Sequence, residues 1–485
     1  MTPASDVALD TLHATAASIF TGALEACNIA SAFDRRMRFE DHKLVRLMPD
    51  GSGPEVIDLN QYKRIFVVAM GKAAAPMLEI LLDRMKRRKG LRGVCCTNQL
   101  PRERNWRFRY FEGGHPLPNE ESFAAARTAL ALLRKARKDT LVFFLISGGG
   151  SAMFDLPIDP HIGLEDTKEF HRVLLASGAP INEINVLRKH FSAVKGGRLA
   201  LAAPDALKVS LLVPDVPLRT LDSLSSGPVS PDHSTVGEAR ELIARYGMRA
   251  HLPASVRAFF DAADIPESPG IKAAWRPAFL PKMPWAEAPR TRRATPVEGM
   301  SAEDPAFRDS VYEILLSSHD LVENARALAR SAGYFTVVDN SCDDWDYTKA
   351  ATYLLERFYG LRKAHPRLCL ISVGEVTVAL NQNPGAGGRN QQFTLACALE
   401  LDKHPGERMT VLSAGSDGID GNTRTAGAIA DPTTVARARA FGFDAERALR
   451  EFNACPLFTA LGDSVVTGPT GQNLRDVRLL ISDEA

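Results

Sequence analysis

Short runs of β-branched and aliphatic residues alternate along this chain with longer stretches of helical period. That alternation restricts the fold to strands joined by crossover helices in mostly parallel sheets. RIFVVAM (64–70), RGVCCT (92–97), LVFFLI (141–146) and KVSLLV (208–213) form a first set of strand candidates. FTVVD (335–339), LCLIS (368–372), VTVAL (376–380), MTVLSA (409–414) and VRLLI (477–481) form a second. All fall far short of the roughly 18–20 apolar residues that span a bilayer. The reading is two α/β domains with mostly parallel sheets.

A change of composition separates the two sets. Eight of the 30 prolines lie between Pro266 and Pro305, among tryptophans and arginines and without usable periodicity. Proline removes backbone donors and fixes φ, so this stretch makes poor core. The expected division is an N-terminal domain over 1–262, a proline-rich linker or extension over 263–307, and a C-terminal domain over 308–485. No internal repeat is found.

Lys plus Arg number 59 against 58 Asp plus Glu, a net charge of +1, so no global field attracts nucleic acid or an anionic membrane. Any anionic ligand must be held by local charge. The N-terminal MTPASDVALD has no basic segment ahead of an apolar run, and the seven scattered cysteines form no CxxC pair. Both features fit a cytoplasmic protein without a disulfide framework or a cysteine-based zinc site.

Glycine-rich turns after apolar strands carry most of the chemical signal. In LVFFLISGGGSA (141–152) a strand runs into Ser147, Gly148, Gly149, Gly150 and Ser151, where backbone N–H groups can converge on an anion without interference from a Cβ. A tight strand-to-helix turn is the alternative. In VVAMGKAAAPM (67–77), Gly71 and Lys72 stand between a strand and an alanine-rich helix start, where anions are favoured. Position 66 is Phe, so this is no P-loop of the GxxxxGK type.

EGGHPLPNEES (112–122) presents His115 on a rigid loop, either to contact substrate or to cap the turn. INEINVLRKHFSAVKGGRLA (181–200) reads as an amphipathic helix with Leu187, Phe191 and Val194 inward, carrying Arg188 and Lys195 in a basic cluster suited to a polyanion or to simple solvation. LLVPDVP (211–217) sets Asp215 just beyond a strand. A carboxylate there could hold Mg²⁺, accept a hydroxyl proton, or cap the following turn.

In the second half, SVGEVTVAL (372–380), GAGGRNQQF (385–393) and SAGSDGIDGNTRTAGAIAD (413–431) cluster Glu375, Arg389, Asn390, Gln391, Asp417, Asp420 and Asp431 among glycines. Arginine can clamp phosphate oxygens in pairs, while Asp and Asn suit metal, ribose or hydroxyl contacts and also ordinary turns.

Ten motifs occur in the order found in the glycerate 2-kinase family, which joins a glycerate kinase domain to a MOFRL domain. They are GKAA (71–74), EGGHP (112–116), LISGGGSA (145–152), RKH…VKGGRLA (188–200), DVP (215–217), SGP (226–228), GEVTV (374–378), GGRNQ (387–391), SDGIDG (416–421) and TGPTG (467–471). The chain resembles that family over most of its length. The resemblance implies an ATP- and Mg²⁺-dependent kinase acting on the 2-hydroxyl of D-glycerate, with an N-terminal Rossmann-like domain and an active site in the inter-domain cleft. Lys72, Asp215 and Arg389 match the positions regarded as catalytic in that family. The residues themselves read Asp215 as base or metal anchor, and the candidates for substrate and nucleotide binding are Gly71, His115, Ser147 to Ser151, Arg188, Lys195, Glu375, Asn390 and Asp417. A homodimer is compatible with it.

The chain departs from the family pattern at Pro214 before Asp215, and at Leu218, Arg219 and Thr220, where a glycine and acidic residues usually follow DVP. The proline-rich stretch is also longer than the usual link. A kinase for a related hydroxy acid therefore stands beside glycerate as a reading. A hydroxypyruvate or tartronate semialdehyde reductase, a label carried by members of the family, is the other. No GxGxxG follows the first strand to favour it. A catalytically silent binding protein is the third class.

Overall fold

The computed structural model describes residues 3–47, 53–85, 88, 90–269, 307, 309–380 and 383–483. Most of the expected linker therefore lies outside the described residues. The chain forms two compact units, one of Ile29–Leu315 and one of Met1–Asn28 with Leu316–Ala485.

The first unit is built on six strands in the spatial order Phe108–Glu112, Leu91–Thr97, Arg64–Met70, Thr140–Ser147, Leu207–Val213, Ser310–Ile314. Every pairing is parallel. The chain enters at the centre, runs to one edge, then returns to fill the other side. The order thus reverses between Arg64–Met70 and Thr140–Ser147, and open α/β sheets bind ligands outside the carboxyl ends at such a point. Thr140–Ser147 is buried along its whole length, as a strand covered on both faces requires.

Helix Ala74–Arg84 follows the central strand Arg64–Met70 and helix Glu120–Leu133 follows the edge strand Phe108–Glu112, the second helix opened by an Asn119 capping box. Phe66, Val68, Phe144 and Ile146 pack with Ala125, Ala129 and Leu133 in the core beneath. A satellite cluster of Phe170, Phe191, Phe259 and Phe260 ties together helices Leu164–Ala176, Ile181–Phe191 and Ala254–Asp261. The expected helix over 181–200 ends at Phe191. The turn containing Gly196 and Gly197, both at positive φ, leads to a short second helix, Arg198–Leu201.

The second unit is also α/β, but its sheet is mixed rather than mostly parallel. The order is Phe335–Val338, Leu368–Val373, Asp476–Ser482, Met409–Gly415, Gly427–Ala430, Ser464–Val465. Only the first pairing is parallel. The cause is the final strand, which enters from a loop over 466–475 rather than a crossover helix and inserts antiparallel between Leu368–Val373 and Met409–Gly415. VTVAL (376–380) is not a strand. Gly374, at φ 133°, breaks the ladder after Val373, and only an isolated bridge from Thr377 to Asp346 follows.

Two boundaries differ from the sequence reading. Helix Pro3–Ala26 packs on helix Ser318–Ser331 of the second unit, and strand Ser310–Ile314 completes the first sheet. An apolar stripe shows that a helix is buried without showing on which unit. No single helix among the described residues is long and apolar enough to cross a membrane.

Candidate active site

At the carboxyl edge of the parallel sheet, the turn after Arg64–Met70 and the turn after Thr140–Ser147 are bound to each other. The Lys72 backbone N–H donates to the Gly148 carbonyl at 2.9 Å, and the Ala73 N–H donates to Ser147 Oγ at 2.9 Å. Gly71 sits at φ 106°, with the Ser147 and Gly148 backbone where a side chain would stand, so only glycine fits. Lys72 is thereby delivered to the start of helix Ala74–Arg84.

Each glycine of the triplet meets a different neighbour. A Cβ on Gly148 would overlap the Asp215 carboxylate, and one on Gly150 would meet the Ser225 hydroxyl. A Cβ on Gly149, at φ 85°, would lie 3.3 Å from Lys72 Cγ and 3.5 Å from His115 Cδ2. The structure thus gathers Gly71, Lys72, His115, Ser147 to Ser151 and Asp215 at one sheet edge. Burial, reinforced by the Lys72 charge, pushes the His115 imidazole below its usual range, which keeps it neutral at pH 7.

Arg188 joins this group through side chains. Ser151 Oγ is 2.8 Å from Ser226 Oγ, which donates to Asn185 Oδ1 at 3.0 Å, and Arg188 Nη1 donates weakly to the same oxygen at 3.4 Å. Lys195 does not join it. It is 1% exposed and forms an ion pair with Asp155, which also accepts from Ser192 Oγ at 2.6 Å and pairs with His171 Nε2 at 2.8 Å. Burial lowers the Lys195 pKa to about 8 against the pull of Asp155. Burial alone would raise the Asp155 pKa, but Lys195 and His171 hold it well below the usual carboxylate range.

Among the described residues no group of three or more His, Cys, Asp or Glu side chains is placed to hold a metal. Magnesium is commonly held by one or two carboxylates together with substrate phosphates. A single carboxylate laid against a glycine turn, as Asp215 lies against Gly148, is a donor set of that kind. Of the unusual residues after Asp215, Leu218 serves the core, buried together with Leu221 and Leu224 along the 3₁₀ stretch Leu218–Ser226.

That stretch ends in SSGPVSPD (225–232), which contains the SGP motif (226–228) but whose backbone conformation the sequence does not show. Ser225 and Ser226 adopt left-handed backbone at φ 51° and 60°, which costs a non-glycine residue roughly 1–2 kcal/mol.

In the second unit, Arg389 opens helix Arg389–Leu401. Its Nε and Nη2 donate to the two oxygens of Asp476 at 2.5 and 3.1 Å, and Nη2 also pairs with Glu375 at 2.8 Å. Partial burial works against the Arg389 charge, but Asp476 and Glu375 more than offset it and raise its pKa. Asp420 caps the same helix, accepting from the backbone N–H of Asn390 at 3.0 Å and of Gln391 at 2.9 Å. Burial is the main cause that pushes the Asp420 carboxyl up to about 6.

Asn390 turns inward to accept from Ser413 Oγ at 2.7 Å. Asp417 accepts from the Ile419 N–H at 3.1 Å, holding a turn beside Gly415, whose missing side chain would lie 3.3 Å from both Asp417 and Asp476 oxygens. Glu375, Arg389 and Asn390 are thus neighbours around the start of one helix, with Asp417 on the adjoining turn. The sequence reading missed Asp476, a single aspartate in NLRDV (473–477) with no motif around it.

A parallel α/β unit with a lysine, a glycine turn and a carboxylate at its switch point, coupled in sequence to a mixed α/β unit with a paired arginine at a helix start, defines a class of two-unit enzymes that handle anionic small molecules. A family model described as a domain of unknown function, DUF4147, matches residues 15–261, and one described as the MOFRL family matches 368–476. A glycerate 2-kinase of Pyrococcus horikoshii is 30% identical over 425 residues, 86% of this chain and 87% of that protein. A protein of Agrobacterium vitis named putative hydroxypyruvate reductase is 33% identical over 426 residues, 86% of this chain and 87% of that one. The crystal structure of a glycerate kinase from Thermotoga maritima matches with a TM-score of 0.75 at 27% identity, covering 98% of this chain and 100% of that one. This chain belongs to the glycerate 2-kinase family, in which a DUF4147 domain is followed by a MOFRL domain.

Proposed function

We propose that this protein transfers the γ-phosphoryl group of ATP to the 2-hydroxyl of D-glycerate, releasing 2-phosphoglycerate and ADP. The observation that carries this reading is the convergence of Lys72, the Ser147 to Ser151 turn, His115 and Asp215 at one sheet edge, where glycines allow backbone to approach closely. Phosphoryl transfer requires positioning and charge neutralisation more than covalent help from the protein, and this edge supplies both.

In this reading the Asp215 carboxylate takes the proton of the attacking 2-hydroxyl. The hydroxyl oxygen bonds to the γ-phosphorus as its bond to the bridging oxygen of ADP breaks. Lys72 and the N–H groups of the glycine turn hold the charged oxygens, and Arg188, linked to the turn through Ser226 and Asn185, is available for a carboxylate or phosphate. Arg389, fixed by Asp476 and Glu375, neutralises a second anionic group. A magnesium ion brought with the nucleotide would supply further neutralisation of phosphate charge, with Asp215 as its protein ligand.

Seven free cysteines, six of them buried, support a reducing, cytoplasmic location, and a homodimer is compatible with the reading. Phosphorus NMR of the product from ATP and D-glycerate tests the proposal. Formation of 3-phosphoglycerate alone would overturn the regiochemistry. Because the Agrobacterium vitis relative carries a reductase name, the same sample should be offered hydroxypyruvate with NADH. Oxidation of NADH without ATP turnover would make the protein a reductase.

A further inference from the structure

Ser225 and Ser226 stand in left-handed backbone, with Gly227 after them at φ 63°. Consecutive non-glycine residues of this kind persist only where their surroundings over-determine them. Here they do. The Gly196 N–H donates to the Ser226 carbonyl at 3.1 Å, Gly197 to Gly227 at 2.7 Å, and Leu199 to Pro228 at 3.0 Å. Lys189 pairs with Asp222 before the turn and with Asp232 after it, each at 3.2 Å.

Glycine would adopt this backbone without strain, so serine at both positions points to a use for the hydroxyls. Both are engaged on the catalytic turn. Ser225 Oγ donates to the Ser147 carbonyl at 2.9 Å and lies where a Gly150 side chain would be. Ser226 Oγ donates to Asn185 Oδ1, so the Ser151 hydroxyl is the donor in the 2.8 Å contact between the two serines. The two hydroxyls therefore grip the first and last residues of Ser147 to Ser151, and Asn185 extends the chain to Arg188. Ser226 is fully buried and Ser225 6% exposed.

We propose that Ser225 and Ser226 are positioning residues for phosphoryl transfer: their strained backbone aims two hydroxyls that fix the glycine turn and couple it to Arg188 as one anion cradle. This rests on the kinase reading above. Neither serine touches substrate; both act through Ser147, Ser151 and Asn185.

The test uses the full chain with Ser225→Gly and Ser226→Gly, which keep the backbone and delete the hydroxyl, beside the two alanine variants. The glycine variants are expected to melt at or above the wild-type temperature, because the strain is relieved. Their kcat and kcat/KM should fall together by about 10- to 100-fold, as expected when reacting groups are misplaced. Amides of residues 147–153 should exchange hydrogen faster than in the wild type. Turnover within twofold of wild type in both glycine variants would overturn the proposal. So would lost turnover with unchanged amide exchange, which would put the hydroxyls on the substrate itself. If the wild type fails to phosphorylate glycerate, the kinase reading falls, while the exchange measurement still decides whether the serines hold the turn.

Discussion

The Asp215 carboxylate occupies the place where a side chain on Gly148 would stand, so the last residue before the left-handed turn must be glycine if the carboxylate is to reach the carboxyl edge of the sheet. Gly148→Ala therefore tests geometry alone, since it adds one methyl and no charge. A displacement on the order of 1 Å at a reacting centre can cost about 100-fold in rate. We expect a loss of that size in kcat, with a cooperative melt retained. Turnover near wild type would detach Asp215 from the reaction.

Lys72 contributes its charge through a backbone locked by the Gly148 carbonyl and the Ser147 hydroxyl. Those contacts use the main-chain N–H groups of Lys72 and Ala73 and survive truncation of the Lys72 side chain. Lys72→Ala should therefore melt near wild type and lose roughly 10²–10³ in kcat, the usual cost of removing one preorganised charge-stabilising contact. Steady-state kinetics with a coupled ADP assay gives the answer.

What the sequence made legible, and what it hid, follows from the range of the interactions. Strand runs such as RIFVVAM and the glycine turns carry local signals, because burial and positive φ constrain residue type on the spot. The parallel pairing of the first sheet was expected from its strand and helix alternation, although its edge strands Phe108–Glu112 and Ser310–Ile314 were not among the strand candidates. The place of strand Asp476–Ser482 did not, because a pairing with Met409–Gly415 about seventy residues away leaves no mark on VRLLI itself. Lys195 looked like a ligand-binding cation beside Arg188, and only its partner Asp155, forty residues earlier, shows that it serves the interior. The clamp from Ser225 and Ser226 was hidden for the same reason: SSGP reads as a turn until its hydroxyls are seen on Ser147 and Ser151.

Arg389 and Asp476 are asymmetric partners, since the Asp476 side chain is 2% exposed and that of Arg389 is 36% exposed. Removing the arginine strands a buried carboxylate, which typically costs about 3–5 kcal/mol, whereas Asp476→Asn leaves a guanidinium that can still reach Glu375 and water. Arg389→Ala should be the less stable variant by urea unfolding, and adding Asp476→Asn to it should recover part of the loss. Arg389→Lys should restore neither full stability nor full turnover, because lysine lacks the fork that spans both Asp476 oxygens. Equal stability of the two single variants would contradict the assignment.

Asp420 supplies a pH dependence with a definite sign. Its carboxyl is pushed up from 3.8 to about 6, mainly by burial, so between these values the folded state binds a proton that the unfolded state has released. Stability from this group is fully present below pH 3.8 and is lost as the pH rises through about 6. At about 1.4 kcal/mol per unit, the window is worth on the order of 3 kcal/mol. The asparagine in Asp420→Asn cannot titrate, although its amide oxygen can still accept from the helix start at Asn390. The wild type should therefore lose stability relative to Asp420→Asn when the pH is raised from 4 to 7, read as diverging denaturant midpoints. Parallel midpoints across that range would show that Asp420 ionises at its ordinary pKa and caps the Arg389 helix as a charged group throughout.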